Sequence, residues 1–346
     1  MQSSPNPVGR RIPAQPVIAV VGVTGAVGIE ILQCLQKRRF PYAKVRGFAS
    51  GRSAGKQLPF AGGSVTVEEL SESSFDGVDL AFFSAGSSIS RRYAPAAARN
   101  AVVVDNSSAF RMQADIPLVV PEINAERLAS HPGIIANPNC AAVISMTPLW
   151  PIHKLNPIRR LIIATYQADS GAGAAAMEEL REATRAELEG RPYEPKVLPH
   201  PYAFNLFSHN TQIDPQTGYN EEEMKVIAEA RKIFGAPDLM LSATCVRVPV
   251  LRAHCVSLTF ECERPLDPDE VRRILATAPG VKVVDDVERN YFPMPKDASG
   301  EDDILVGRIR RDLSDGSGRS ISLFCAGDQL LKGAALNAVQ IAERLL

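Results

Sequence analysis

A five-residue apolar run, Val17 to Val21, leads straight into Gly22-Val23-Thr24-Gly25-Ala26-Val27-Gly28, and Ile29, Leu32 and Leu35 follow at helical spacing. The order of strand, glycine turn and amphipathic helix constrains this chain more than any other feature. A helix starting so soon after a strand packs back on it, which is the opening unit of a parallel α/β sheet. Glycines in such a turn let backbone approach a pyrophosphate, which then sits on the helix N-terminus. The spacing is Gly-x-x-Gly-x-x-Gly, not Gly-x-Gly-x-x-Gly. Taken alone it fits a structural turn as well as a dinucleotide site.

The next strand, Val45 to Ala49, bears on which dinucleotide is bound. A site that selects NAD places Asp or Glu at this strand's end, to bond the ribose 2′-OH. Here the chain reads Ser50-Gly51-Arg52-Ser53-Ala54-Gly55-Lys56, with no acid until Glu68. The hydroxyls of Ser50 and Ser53 together with Arg52 suit a 2′-phosphate, so NADP is the expected cofactor. A solvated loop is the plain alternative. Leu80 to Phe83 then runs into Ser84-Ala85-Gly86, and Val102 to Asp105 runs into Asn106-Ser107-Ser108. Short β runs ending in small polar residues are typical of the ligand side of an open parallel sheet. Arg111, just past the second of these ends, is placed either as an anion ligand or as a surface cation.

With 346 residues the chain has room for two domains, and its 45% hydrophobic and 22% charged content is that of an ordinary globular protein. A net charge of -1 offers nothing to nucleic acid or to an anionic membrane. No apolar run reaches the length of a membrane span. The six cysteines, Cys34, Cys140, Cys245, Cys255, Cys262 and Cys325, show no metal spacing and no paired pattern. With no secretory segment in view, they point to reduced thiols in the cytoplasm, or in a plastid stroma if the source is a plant or alga. Residues 1–16, with Pro5, Pro7, Pro13 and Pro16, read as a disordered polar tail.

From Leu161 the pattern changes. A strand to Tyr166 precedes Gln167-Ala168-Asp169-Ser170-Gly171-Ala172-Gly173 and a helix of about Ala174 to Leu188. Asn220 and Glu223 form a capping-box start for a helix reaching about Phe234. Longer strands follow at Met240 to Val248, His254 to Glu263, Ile304 to Arg310 and Ser320 to Ala326, with few crossover helices between them. This predicts a mixed or antiparallel sheet with helices on one face, its bare face buried by a second copy. The last apolar helix, about Gln329 to Leu346, is expected to return to the first half. The resulting fold class is α/β. A Rossmann-like doubly wound dinucleotide-binding domain (17–139, completed by 328–346) joins an α+β substrate and dimerisation domain (140–327).

Cys140 closes Asn137-Pro138-Asn139-Cys140, between the apolar strand Gly133 to Ala136 and a helical stretch from Ala141 to His153. A thiol on the first turn of a helix meets backbone N–H groups and the positive end of the dipole, which stabilises its thiolate. That placement suits a nucleophile; a buried structural thiol remains the other reading. A thiol with a reference pKa of about 8.5 needs a base or an electropositive site near neutrality. Of His131, His153, His200, His209 and His254, the last stands out. It follows Arg247 at a turn between two strands, which would put a carboxylate clamp and a proton shuttle on one sheet edge; a satisfied structural histidine is the commoner reading of a lone His. Glu222 and Lys225, three apart on one helix, read from spacing alone as a surface ion pair.

Together these segments resemble the aspartate-semialdehyde dehydrogenase family, from about Val17 to Leu346. The resemblance is carried by the glycine turn, Asp105 to Arg111, Asn137 to Cys140, Thr165-Tyr166-Gln167 with Ser170 to Gly173, Arg247 to Val250 with His254, and Asp328-Gln329 with Lys332 to Ala338. Tyr202 to Asn210 and Arg252-Ala253-His254 look closest to its plant-type branch. The resemblance implies NADPH-dependent reductive dephosphorylation of L-aspartyl-4-phosphate to the semialdehyde through a Cys140 thioester, in a homodimer or dimer of dimers. It implies His254 as acid/base and Gln167 as the group orienting the acyl carbon. Arg247 would clamp the α-carboxylate and Glu222 the α-ammonium. Arg111, Lys225 and Asn139 would hold phosphate, and Ser170, Gly171 and Asn337 would lie along the cofactor. Two departures stand out: Ala141-Ala142 where many members have Ser-Thr, and Ala253 where many have Gly. The neighbouring family, N-acetyl-γ-glutamyl-phosphate reductase, shares the chemistry but has no ammonium for Glu222 to bind. A non-catalytic NADP-binding paralogue is the reading from another class.

Overall fold

A computed structural model describes residues 9–346. It separates into two compact units, one ending at Asn139 and taking in Ala334–Leu346, the other running Cys140–Gly333. Asp328 to Gly333 thus belong to the second unit. Within the first run β1 (Val17–Val21), α1 (Ala26–Lys37), β2 (Lys44–Ala49), β3 (Gln57–Phe60), β4 (Gly63–Glu69), β5 (Leu80–Phe83), α2 (Ser87–Ala97), β6 (Val102–Asp105), α3 (Pro121–Asn124) and β7 (Ile134–Ala136). The sheet order is β3-β4-β2-β1-β5-β6-β7. All neighbours are parallel except the β3–β4 hairpin, which makes the sheet mixed. The order in which strands are added reverses at β1, which has parallel β2 on one side and parallel β5 on the other, so a crevice opens at their carboxyl ends. The C-terminal helix, Leu336–Glu343, packs on α1, α3 and β6 of the same unit.

The tail expected over 1–16 needs correcting in part. Residues 1–8 lie outside the described residues, but from Gly9 the backbone is paired. Gly9 N–H donates to the His131 carbonyl and Ile12 N–H to that of Leu345, and Ile12 is buried. An apolar side chain and two backbone donors offset the entropy that a proline-rich, polar composition suggested would be kept.

The second unit comprises α4 (Cys140–Leu155), β8 (Ile158–Gln167), α5 (Ala174–Leu188), β9 (Phe207–Ser208), α6 (Glu221–Phe234), β10 (Met240–Arg247), β11 (His254–Cys262), α7 (Pro268–Ala276), β12 (Val281–Val283), α8 (Pro295–Ala298), β13 (Ile304–Arg311) and β14 (Ser320–Gly327). Its sheet is mixed, in the order β12-β13-β14-β11-β8-β10-β9. Helix α4 covers one face, touching β8, β11, β13 and β14, and is apolar nearly all round because α6 and α7 close over it. On the other face the outward positions of β8 and β10 stay exposed, with Ile162 at 39%, Tyr166 at 38% and Met240 at 56%.

Helix α6 starts as its sequence dictates. The Asn220 side chain accepts from Glu223 N–H, the Glu223 carboxylate accepts from Asn220 N–H, and Gly235 ends the helix in a left-handed conformation. The helix expected from Gln329 to Leu346 is not continuous. Leu331–Ala335 is a π turn, and α-helix proper begins at Leu336. The buried Asp328 explains the wide turn: its side chain accepts from Leu330 and Leu331 N–H, while Gly333 N–H reaches back five residues to its carbonyl.

Candidate functional site

In the first unit the glycine turn forms one wall of a cavity of about 460 Å³, lined by Gly22, Thr24, Gly25, Ser50, Glu69, Ser84 and Ala85 among others. Gly22 holds φ +82°, and a Cβ on Gly28 would stand 2.2 Å from the Gly22 carbonyl oxygen. Only glycine at 28 lets α1 start so close to β1, with its N-cap Gly25 in the cavity wall. Gly86, also at φ +87°, begins α2 beyond the β5 end. Arg52 and Ser53 lie on the short turn after β2, with Arg52 exposed. Glu68 points elsewhere, in a 2.7 Å ion pair with Arg46. The carboxylate in the cavity wall is that of Glu69, which pattern reading passed over because it ends the fourth strand, not the second.

Three other expected residues lie in the same unit. Arg111 is buried, donating to the carbonyls of Asn137 (2.9 Å) and Asn106 (2.8 Å). Asn337 donates to the Val119 carbonyl and to Asn137 Oδ1, which ties the C-terminal helix to the end of β7. Asn139 is buried at the unit's boundary.

The reactive groups of the second unit meet because of strand direction. Strands β8 and β10 are parallel, with Gln167 opposite Arg247, and β11 is antiparallel to β8, with Cys255 opposite Tyr166. The carboxyl ends of two strands and the amino end of the third therefore share one edge, which carries Gln167, Arg247 and His254. Cys140 is the first residue of α4, and its Sγ lies 3.4 Å from His254 Nε2. Of six unbridged cysteines it alone is not buried. Burial pushes the thiols of Cys245, Cys255 and Cys262 up to about 12, out of use near neutrality.

His254 is held from both sides. Ala168 N–H donates to its Nδ1 at 2.9 Å, so Nδ1 is an acceptor and the ring's proton sits on Nε2, facing sulfur. Burial, with the Arg247 charge acting in the same direction, pushes its pKa down to about 3. A ring that accepts at Nδ1 cannot also carry a proton there, so geometry and burial agree on a neutral imidazole. Gly171 lies against this ring: an added Cβ would be 3.1 Å from Cε1. Ser170 is bonded by the Gln329 amide, whose oxygen accepts from Ala253 N–H. Ala253 has φ +71°, a conformation usual for glycine, and is braced there by Gln329 and by the ion pair of Arg252 with buried Asp328 (2.6 Å). Gln329 and Asp328 stood in a recognised motif, but residue type alone gave neither a role.

Buried Glu222 accepts from the Gln167 amide at 3.2 Å. The surface pair expected between Glu222 and Lys225 is not what forms. Lys225 lies 3.7 Å from Glu221, one turn earlier, while Glu222 turns inward. The Arg247 guanidinium is buried against Asn210 and His209. Asp169, next to Ala168, is fully buried with no hydrogen-bond partner for its carboxylate among the described residues. Burial pushes its pKa up to about 6 against the pull of Arg247.

A dinucleotide-type sheet and a mixed-sheet unit with a helix-borne thiol beside a neutral imidazole define the class. Residues 17–131 match the semialdehyde dehydrogenase NAD binding domain, and residues 149–332 the semialdehyde dehydrogenase dimerisation domain. Among relatives, the aspartate-semialdehyde dehydrogenase of Synechocystis is 52% identical over 330 residues, covering 95% of this chain and 97% of the other. That of Bacillus subtilis is 45% identical over 339 residues, 95% and 96% of the two chains. The crystal structure of aspartate semialdehyde dehydrogenase II from Vibrio cholerae, complexed with ASA, superposes with a TM-score of 0.92 at 41% identity, covering 96% of this chain and 98% of that one. This chain belongs to the aspartate-semialdehyde dehydrogenase family.

Proposed function

We propose that the chain catalyses reductive dephosphorylation of L-aspartyl-4-phosphate to L-aspartate 4-semialdehyde and phosphate, and its reverse, with NADP as cofactor. It would supply the route to lysine, threonine and methionine. The observation that carries the reading is Cys140 Sγ on a helix start, 3.4 Å from an imidazole Nε2–H. The thiolate attacks the acyl carbon and phosphate departs with the bonding pair, leaving a thioester that divides one hard step into two. When bound, the nicotinamide supplies the hydride. The resulting tetrahedral centre re-forms its carbonyl and returns sulfur as thiolate, to which His254 Nε2–H donates. The geometry supports the donor half of an acid/base role. Accepting a second proton would require Nδ1 to give up the Ala168 bond.

In this reading Arg247 binds the α-carboxylate with two parallel hydrogen bonds and Glu222 the α-ammonium, while Gln167 orients the acyl group. Arg111, Asn139 and Lys225 are assigned to phosphate, and Asn337 and Ser170-Gly171 to the cofactor, on the motif match alone. NADP is favoured by Ser50 in the cavity wall and by Arg52 and Ser53 one turn on. Glu69 in the same wall is the group an NAD site would use on the ribose hydroxyls. Arg52→Ala lowering kcat/KM for NADPH but not NADH would support NADP, and Glu69→Gln hurting only NADH use would support the other choice. The bare face of the second sheet is assigned to a second copy, making a homodimer. The relatives carry the aspartate name, not the N-acetylglutamyl one. A cytoplasmic enzyme fits six unbridged thiols.

The test is phosphate-dependent NADP reduction with L-aspartate semialdehyde. Wild type should turn over and Cys140→Ala should not. A Cys140→Ala enzyme with wild-type kcat would remove the thioester from the mechanism.

A further inference from the structure

Arginine only donates hydrogen bonds, so whatever touches its guanidinium must accept. Arg247 Nε donates to Asn210 Oδ1 at 2.8 Å, and Nη2 lies 3.1 Å from His209 Nε2. His209 Nε2 is therefore unprotonated, and its Nδ1–H faces Thr211 Oγ1 at 3.2 Å. The same Thr211 oxygen accepts the backbone N–H of Glu222 at 3.2 Å. A continuous chain of contacts thus runs from Arg247 on β10, through His209 and Thr211, to the first turn of α6. His209 is placed for this by β9, whose pairing puts Phe207 opposite Arg247, and by its own N–H donating to the Cys245 carbonyl. Both Arg247 and His209 are buried. Asn210 and His209 occupy the Nε edge of the guanidinium. Among the described residues nothing hydrogen-bonds Nη1, so a carboxylate has to approach end-on.

We propose that His209, with Asn210, is a positioning residue for substrate specificity. It fixes which edge of Arg247 is presented and holds it in register with Glu222, so that the carboxylate and ammonium of one α-amino acid are met together. The inference rests on the clamp roles proposed above for Arg247 and Glu222. A neutral His209 is required, and burial, reinforced by Arg247 and Lys225 against the pull of Glu222, keeps its pKa near 4. Glutamine can reproduce both contacts, accepting from Arg247 and donating to Thr211; alanine can do neither.

The experiment compares H209A, H209Q, T211V and R247K with wild type in phosphate-dependent oxidation of aspartate semialdehyde, with thermal unfolding as a check on folding. In H209A, KM for the semialdehyde should rise at least about tenfold, roughly 1.4 kcal/mol, with KM for phosphate within twofold and kcat within threefold. H209Q should recover most of this, and T211V should show a smaller rise of the same kind. A KM in H209A within twofold of wild type, or equal rises in the KM for phosphate and semialdehyde, overturns the proposal. If H209A does not fold, H209Q and T211V carry the test: wild-type KM in T211V, or H209Q raising both KM values together, is the overturning result. R247K separates the two readings. A raised semialdehyde KM there with none in H209A sinks only the His209 assignment, whereas an unchanged KM in R247K removes the clamp itself.

Discussion

Asp169 shows how one residue carries a cost that only a folded site explains. Its carboxyl has a pKa raised to about 6, so the folded chain holds that proton more tightly than the unfolded chain does. Between the ordinary aspartate value of 3.8 and about 6 the native state binds more protons, and this contribution to stability grows as pH falls. Above pH 6 the buried group is ionised at a cost on the order of 3 kcal/mol. Asp169→Asn should therefore look better at pH 8 than at pH 5, by on the order of 1 kcal/mol because the unfolded carboxyl is already largely ionised at pH 5, in urea unfolding followed at both values. Equal effects at the two pH values would show that the carboxyl is not titrating out of the ordinary. His254 has the opposite sign. Its pKa is depressed, so unfolding takes up a proton below the usual histidine range and acid weakens the fold.

At the scale of elements, turns and helix starts do the positioning. The β1–α1 turn works because Gly28 leaves room for the Gly22 carbonyl. Gly28→Ala puts a methyl where 2.2 Å is available, so backbone must move. The expected outcome is loss of NADP binding by at least tenfold in a fluorescence titration, with the second unit's thiol still reactive. Unchanged affinity would mean that this helix end does not face the cofactor. The start of α6 does double duty in the same way: Glu223 completes the capping box and its other oxygen accepts Cys245 N–H at 2.9 Å. Glu223→Ala should thus cost more than the roughly 1 kcal/mol of a lost cap, since a buried strand N–H is orphaned as well. A loss under 0.5 kcal/mol by chemical unfolding would argue that the tie to β10 is idle.

For the whole molecule, the exposed face of the second sheet is the feature that asks for a partner. Ile162, Tyr166 and Met240 are exposed on β8 and β10, and Ile162 and Met240 line a shallow cavity of about 280 Å³. Scattered exposed apolar groups are ordinary, but a contiguous set on a bare sheet is typical of association. A charge at the centre of such an interface is left desolvated and unpaired. Ile162→Glu should shift sedimentation from dimer toward monomer. A variant that sediments as the wild type would place the interface elsewhere.

Local patterns were legible without coordinates wherever period and punctuation decide. These include the strand and glycine turn at Val17 to Gly28, the capping box at Asn220, the helix onset at Cys140 and the mixed character of the second sheet. Cys140, Arg247 and His254 could be named as candidates because each sits at an element's end, whereas Gln167 came only with the family resemblance. What pattern could not supply was partnership across the chain. The tautomer of His254 depends on Ala168, 86 positions away, and the setting of Arg247 on His209, 38 away. The inward turn of Glu222 depends on Gln167, 55 away, and the π turn before Leu336 on buried Asp328. Hydrophobic period and capping chemistry act over a few residues and are written in order along the chain. Hydrogen bonds between distant side chains form only once strand register has brought them within 3 to 4 Å, and that register belongs to the tertiary structure.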